Sequence, residues 1–179
     1  MNKEVFREIL DKLEGLDYFF ISGLSVAIWT EGKRIPVDID IVVRSKDVDI
    51  FADRLGTVAK DRTIDKGTFV VNDYGFEIDY KGQMIECTTG YPPKRIQEGT
   101  FNKLFDKRIK TSYLDQEVYV EPLVELVNQK AFMGRKKDLN DLELLRGKTL
   151  DGELFMEISN DKGNLDKVLP VVKKYFNNI

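Results

Sequence analysis

Two short stretches carry side chains whose types and spacing suit chemistry. In the first, Ser22-Gly23, with Ser25 close behind, directly follows the aromatic and β-branched run from Tyr18 to Ile21. Such a run favours a buried strand, and small residues after it let the backbone turn sharply into a helix. The leading N–H groups of that helix have no acceptor within it, and its dipole adds partial positive charge. An anion is the natural occupant, and a polyphosphate fits. The second stretch is Asp38-Ile39-Asp40-Ile41-Val42-Val43. Side chains alternate faces along a strand, so Asp38 and Asp40 project together while Ile39 and Ile41 enter the core. Two adjacent carboxylates repel, and a divalent cation between them relieves the repulsion. The chain has no histidine and one cysteine, Cys87, which excludes the usual zinc sites, histidine-based catalysis and an internal disulfide. Any metal is therefore held by oxygen, and magnesium is the expected ion.

A third carboxylate has two candidates, Asp79 in Phe76-Glu77-Ile78-Asp79-Tyr80 and Glu86 in Met84-Ile85-Glu86-Cys87. Glu86 is favoured because residues suited to burial flank it. Either could instead be the solvent side of a half-buried strand. Further on, Leu123, Val127, Ala131, Leu142 and Leu145 fall on one side at about 100° per residue. Lys130, Gly134, Asp138 and Asp141 lie within or beside that stripe. Charges on an apolar face need partners, since burying them alone is costly. One reading is an internal Arg135–Asp138 or Lys137–Asp141 pair that locks the helix. The other places Lys130 at the rim of the metal site, where its ammonium meets a triphosphate.

The order of apolar strand, small-residue turn, helix, Arg-x-x-x-Asp-x-Asp and apolar strand resembles the nucleotidyltransferase superfamily related to polymerase beta. It is most similar to the small prokaryotic members of AbiEii toxin type. Ser22-Gly23 stands at the family's glycine pair, with Ser22 in place of the first glycine, and Arg34 stands where an arginine often occurs. Asp38 and Asp40 stand at its metal ligands. Glu86, leading into Thr88-Thr89-Gly90-Tyr91-Pro92, resembles its third-carboxylate strand. Pro122-Leu123, Lys130-Ala131 and Arg135-Lys136-Lys137-Asp138-Leu139-Asn140-Asp141-Leu142 resemble the helix after its catalytic sheet, so the likeness spans about residues 18 to 145. It implies transfer of a nucleoside monophosphate from an NTP to a hydroxyl acceptor with Mg2+, the acceptor in toxin-type relatives being tRNA. Asp38, Asp40 and Glu86 would hold the metal; Ser22, Gly23, Ser25, Arg34, Lys130, Asp138 and Asp141 would form the nucleotide site. Two rivals keep the fold without the chemistry: a nucleotide- or RNA-binding protein, and a toxin–antitoxin partner acting through protein contacts.

The elements that must position these residues follow from periodicity. Val5, Phe6, Ile9, Leu10 and Leu13 mark an amphipathic helix over 3–14. Strands are expected at 18–21 and 38–43, and a helix from Val48 to Ala59 capped by Ser45 or Asp47, with Ile50, Phe51, Leu55 and Val58 inward. Short strands at Thr68–Val71, Phe76–Tyr80 and Met84–Thr88 are separated by the turn dipeptides Asn72-Asp73 and Lys81-Gly82. Between 91 and 113 six basic residues interleave with Tyr91, Phe101, Phe105 and Tyr113. Single-stranded RNA could use that surface, although Phe101 and Phe105 at i, i+4 also read as the buried side of an ordinary helix. A strand at Glu117–Val120, the 121–145 helix and one or two final helices complete the chain, with Pro170 in the last.

The expected fold is a mixed α/β sheet flanked by helices, a catalytic core over 1–120 carrying a helical part over 121–179. With 179 residues and 42% apolar side chains, a sizeable core can form. No apolar run approaches a membrane span, and the N-terminus reads as a surface helix, so a cytoplasmic location is expected. The net charge of −3 gives no global nucleic-acid footprint.

Overall fold

The computed structural model describes residues 1–65, 70–89, 98–177 and 179. In order, the chain forms α1 (Lys3–Leu13), β1 (Tyr18–Phe20), α2 (Ser22–Trp29), β2 (Ile39–Val43), α3 (Val48–Arg54), β3 (Lys60–Asp65), β4 (Val70–Tyr80) and β5 (Gln83–Thr88). There follow α4 (Glu98–Asp106), β6 (Ile109–Tyr113), β7 (Gln116–Val120), α5 (Leu123–Met133), α6 (Lys136–Leu145), α7 (Gly152–Asp161) and α8 (Leu165–Val172). The seven strands make one sheet in the order β3-β4-β5-β2-β1-β7-β6. β2 pairs with β5 in parallel and β1 with β7 in parallel, while β1–β2, β3–β4, β4–β5 and β6–β7 are antiparallel. This is the mixed, helix-flanked α/β architecture expected.

Alternation along the strands sorts two cores onto the two faces of the sheet. Tyr18, Phe20, Ile39, Ile41 and Val43 join Phe6 and Ile9 of α1 and Phe51 of α3 on one side. Phe19 and Val42 join Phe105, Leu126, Val127, Leu142 and Phe155 on the other. Each wholly buried Phe or Leu contributes about 2 kcal/mol of apolar transfer free energy, so both faces are held firmly. Asp40 has the parity of Val42 and therefore projects to the α5 side. Asn2 starts α1 by accepting the Glu4 and Val5 amides at 2.9 and 3.4 Å.

Several boundaries differ from expectation. α3 stops at Arg54 and not at Ala59; Phe51, Ala52 and Leu55 are buried, whereas Ile50 is half exposed and Val58 is 78% exposed. Asp47 precedes α3, but its carboxylate accepts the Asp17 amide instead of capping the helix. Asn72-Asp73 is no turn. β4 runs unbroken through it, because Asp73 is buried and bound by Arg62 of the unforeseen strand β3 at 2.9 Å and by the Thr88 hydroxyl at 2.7 Å. The expected strand at Thr68–Val71 begins at residues outside those described. β6 is a second unforeseen strand, turned into β7 through left-handed Leu114 and Asp115. The single helix read over 121–145 is two, because Gly134 takes φ +63° and closes α5 by donating its N–H to the Lys130 carbonyl at 3.0 Å. Among the described residues no helix is long and apolar enough to cross a membrane.

Candidate active site

Four adjacent strands bring the chemical side chains to one level of the sheet. In the β2–β5 ladder Asp40 lies opposite Glu86, with Ile39 opposite Ile85 and Ile41 opposite Cys87. Residues opposite one another project from the same face, so Asp40 and Glu86 form a carboxylate pair. On the other side the Ile21 amide donates to the Asp40 carbonyl at 3.0 Å, which ties the end of β1 to that residue. The Glu121 amide then donates to the Phe20 carbonyl at 3.0 Å. Glu86, Asp40, the Ser22-Gly23 turn and Glu121 thus follow one another across β5, β2, β1 and the end of β7.

Asp38 lies at a bend just ahead of β2 and is exposed. Asp79 pairs with Met84 on β4, one strand removed from β2, and its carboxylate accepts the Gly82 amide at 2.6 Å across the Lys81-Gly82 turn. The adjacent carboxylate on β4 is Glu77, opposite Glu86 and exposed, which the sequence reading did not single out. Also unforeseen is Arg62. Its Nη2 lies 3.6 Å from Glu86 Oε1 and donates to the Cys87 carbonyl at 2.7 Å, while Nη1 donates to the Phe76 carbonyl at 3.2 Å. An arginine on a strand as polar as Lys60–Asp65 gives no sequence signal of its target.

Among the described residues no three acidic or cysteine side chains converge as a ready-made metal cage. The donor chemistry nonetheless fits magnesium: Asp40 and Glu86 face the same way on adjacent strands, Asp38 is two residues from Asp40, and all three offer the hard oxygens that ion takes.

The turn itself is built from beneath. Ser22 has φ +59°, a left-handed conformation unusual for a residue with a Cβ. Its amide donates to Glu121 Oε1 at 3.0 Å, and Gln129 Nε2 donates to Glu121 Oε2 at 2.8 Å. Glu121 is fully buried, and burial, reinforced by the nearby Glu125 charge and opposed by Lys130, pushes its pKa up to about 8. Ser25 is also fully buried and lies against Glu121, away from the surface where a phosphate would approach.

Arg34 reaches the same turn. Its Nη2 is 3.7 Å from where a Cβ on Gly23 would stand. It is anchored by Nε to Asp141 Oδ1 at 3.1 Å and by Nη1 to the Ile35 carbonyl at 2.6 Å. Lys130 is buried, with Nζ 2.8 Å from Asp141 and 3.5 Å from Asp138. Its ammonium is thus engaged by two aspartates. Arg135 grips Asp138 through Nε at 2.6 Å and Nη2 at 3.1 Å. Burial raises the Asp138 pKa, but the Arg135 hydrogen bonds and the Lys130 charge outweigh it and leave the carboxyl below its usual range. Of the two internal pairs considered from sequence, Arg135–Asp138 forms, whereas Asp141 pairs with Lys130 and Arg34 and not with Lys137.

In the 91–113 segment read as an RNA surface, Tyr91, Lys94 and Arg95 lie outside the described residues. Within it, Lys103 pairs with Glu157, Lys110 with Glu117 and Arg108 with Asp17. Phe105 is buried, with the Arg44 guanidinium 4.2 Å from its ring centre. The helical reading of Phe105 therefore describes its position.

No protein-family model and no curated protein sequence matches the chain. Its fold is shared with solved nucleotidyltransferase structures. ANT(2'')-Ia in complex with adenylyl-2''-tobramycin matches with a TM-score of 0.53 and 11% identity, over 97% of this chain and 95% of that one. The solution structure of the same antibiotic-resistance factor gives 0.50 and 12%, over 97% and 90%. The Thermotoga maritima protein TM1012, assigned to the nucleotidyltransferases, gives 0.51 and 18%, over 78% and 88%.

Proposed function

We propose that this chain transfers a nucleoside monophosphate from an NTP to a hydroxyl acceptor. The observation that carries the reading is the β2–β5 register, which sets Glu86 beside Asp40 one strand away from a strand-to-helix turn with an arginine against it. Asp38, Asp40 and Glu86 would hold Mg2+, which when bound supplies positive charge at the α-phosphate and at the attacking and departing oxygens. After the turn at Ser22, the Gly23 and Leu24 amides bind the β- and γ-phosphates, and the Arg34 guanidinium neutralises their charge. Asp141 orients Arg34, and Lys130 holds Asp141 in turn, so the α5–α6 pair supports the cation that meets the pyrophosphate. As the acceptor oxygen bonds to the α-phosphorus and pyrophosphate departs, the acceptor's proton passes to Glu86.

The ion pair between Arg62 and Glu86 favours a second reading, nucleotide binding without transfer, because a carboxylate paired with a guanidinium is a weaker base and a weaker ligand. One experiment separates the two. The protein is incubated with α-labelled NTPs and Mg2+, with total RNA in one arm and tobramycin, whose adenylylated form ANT(2'')-Ia binds, in the other. Label in either acceptor that is lost in Glu86→Gln supports transfer. Tight NTP binding with no label in RNA, tobramycin or protein supports the binding protein.

A further inference from the structure

Glu121 is fixed more completely than a residue at the end of an edge-proximal strand requires. Its amide donates to the Phe20 carbonyl, its carbonyl accepts the Trp29 indole N–H at 3.2 Å, and its two carboxyl oxygens accept from Ser22 and Gln129. What it holds is a strained residue. An L-residue in the left-handed region is disfavoured by its Cβ, and a hydrogen bond from the Ser22 amide to a buried acid offsets that cost. The amides of Gly23 and Leu24, at the start of α2, have no acceptor within the helix.

We propose that Glu121 is a positioning residue for the polyphosphate turn: from beneath, it takes up the Ser22 amide, holds Ser22 left-handed, and so keeps the next amides and Arg34 directed at the phosphates. This rests on the nucleotidyl-transfer reading. Because a serine occupies this left-handed position, where glycine would adopt it freely, the latch compensates for Ser22, and the two residues are coupled.

The latch also has a charge state. The groups facing Glu121 are Glu125, Gln129 and Lys130 from α5 and Ser22 and Ser25 from α2, with Lys162, just after α7, bound to Glu125. The neutral acid places no negative charge under the turn, whereas the carboxylate formed as pH rises through about 8 opposes a bound polyanion.

Calorimetric titration of inorganic triphosphate and of ATP with Mg2+ from pH 6.5 to 9.5 tests this. At pH 7, Glu121→Ala should weaken triphosphate binding about tenfold, the equivalent of one hydrogen bond to an acid. Glu121→Gln, which keeps the shape, the neutrality and one acceptor oxygen for the Ser22 amide, should bind within about threefold of the parent and lack the parent's extra decline above pH 8. Adding Ser22→Gly to Glu121→Ala should restore most of the loss. An alanine variant that folds and binds like the parent, a Gln variant with the parent's pH profile, or no recovery with Ser22→Gly overturns the proposal. If Glu121→Ala does not fold, the Gln profile decides alone. A parent protein that binds neither probe overturns the nucleotidyl-transfer reading itself.

Discussion

Asp40 and Glu86 are opposite one another on adjacent parallel strands, and Asp79 is not, although all three are acids in β-rich segments. Asp40→Asn and Glu86→Gln should each lower Mg2+-dependent transfer by at least about 10²-fold, since the amide keeps size and hydrogen bonding but neither ligates a hard cation nor accepts a proton. Asp79→Asn should stay within about threefold, because its carboxylate serves the 81–82 turn and not the β2 strand. Labelled-nucleotide incorporation by the three variants checks the register, and a dead Asp79→Asn would reverse it. Glu121 makes a separate prediction about stability. Its acid titrates near 8 in the fold against 4.5 when unperturbed, so the folded state holds the proton more tightly than the unfolded chain. The stability it contributes is full below about 4.5, is lost as pH rises to about 8, and changes little beyond. Thermal unfolding of the parent between pH 5 and 9 should show that fall, and Glu121→Gln should flatten it.

At the scale of elements, the strand pair that presents Glu86 depends on one missing methyl. A Cβ on Gly75 would stand 2.1 Å from the Cys87 carbonyl oxygen, with the Arg62 guanidinium 3.2 Å away. The backbones of β4 and β5 cannot separate without releasing Arg62 from the Phe76 and Cys87 carbonyls. Gly75→Ala should therefore destabilise by about 3 kcal/mol and lower transfer further by shifting Glu86. Denaturant unfolding compared with Gly82→Ala, whose site has open space but a left-handed backbone, separates crowding from conformational strain. The α5–α6 pair is held differently, by charge. Lys130→Met leaves Asp138 with Arg135 and Asp141 with Arg34, so the cost should be about 3 kcal/mol for a buried pair broken from one side. Its effect on NTP binding should be smaller than that of Asp141→Asn, which alone removes the carboxylate that anchors Arg34; calorimetry on the two variants tests that order.

For the whole molecule, the site draws on β5, β2, β1, α2, the end of β7 and the α5–α6 pair, so ligand binding should be felt by the global fold. An NTP bound with Mg2+ at about a hundred times its Kd should stabilise the native state by about 3 kcal/mol, a rise of several degrees in melting temperature for a chain of this size. Mg2+ or NTP alone should give much less, because each completes the other's coordination and charge. An equal shift from NTP with and without Mg2+ would argue against Asp38, Asp40 and Glu86 as ion ligands.

The sequence by itself determined the parts governed by local physics. Aromatic and β-branched runs in Tyr18–Ile21 and Ile39–Val43 specify buried strands, small residues after Ile21 specify a strand-to-helix turn, and the absence of histidine confines any metal to oxygen ligands. The mixed α/β class follows from those patterns. Register, pairing and burial were decided by tertiary structure, because they depend on residues distant in the chain. Glu86 is opposite Asp40 only through the β2–β5 crossover, and Asp73 sits in a strand only because Arg62 comes to meet it. Lys130 is engaged by Asp138 and Asp141 because Gly134 folds α6 back against α5. Glu121 carries no local signal: next to Pro122 it reads as a helix-leading acid, and only the arrival of β7 beside β1 places its carboxyl under Ser22.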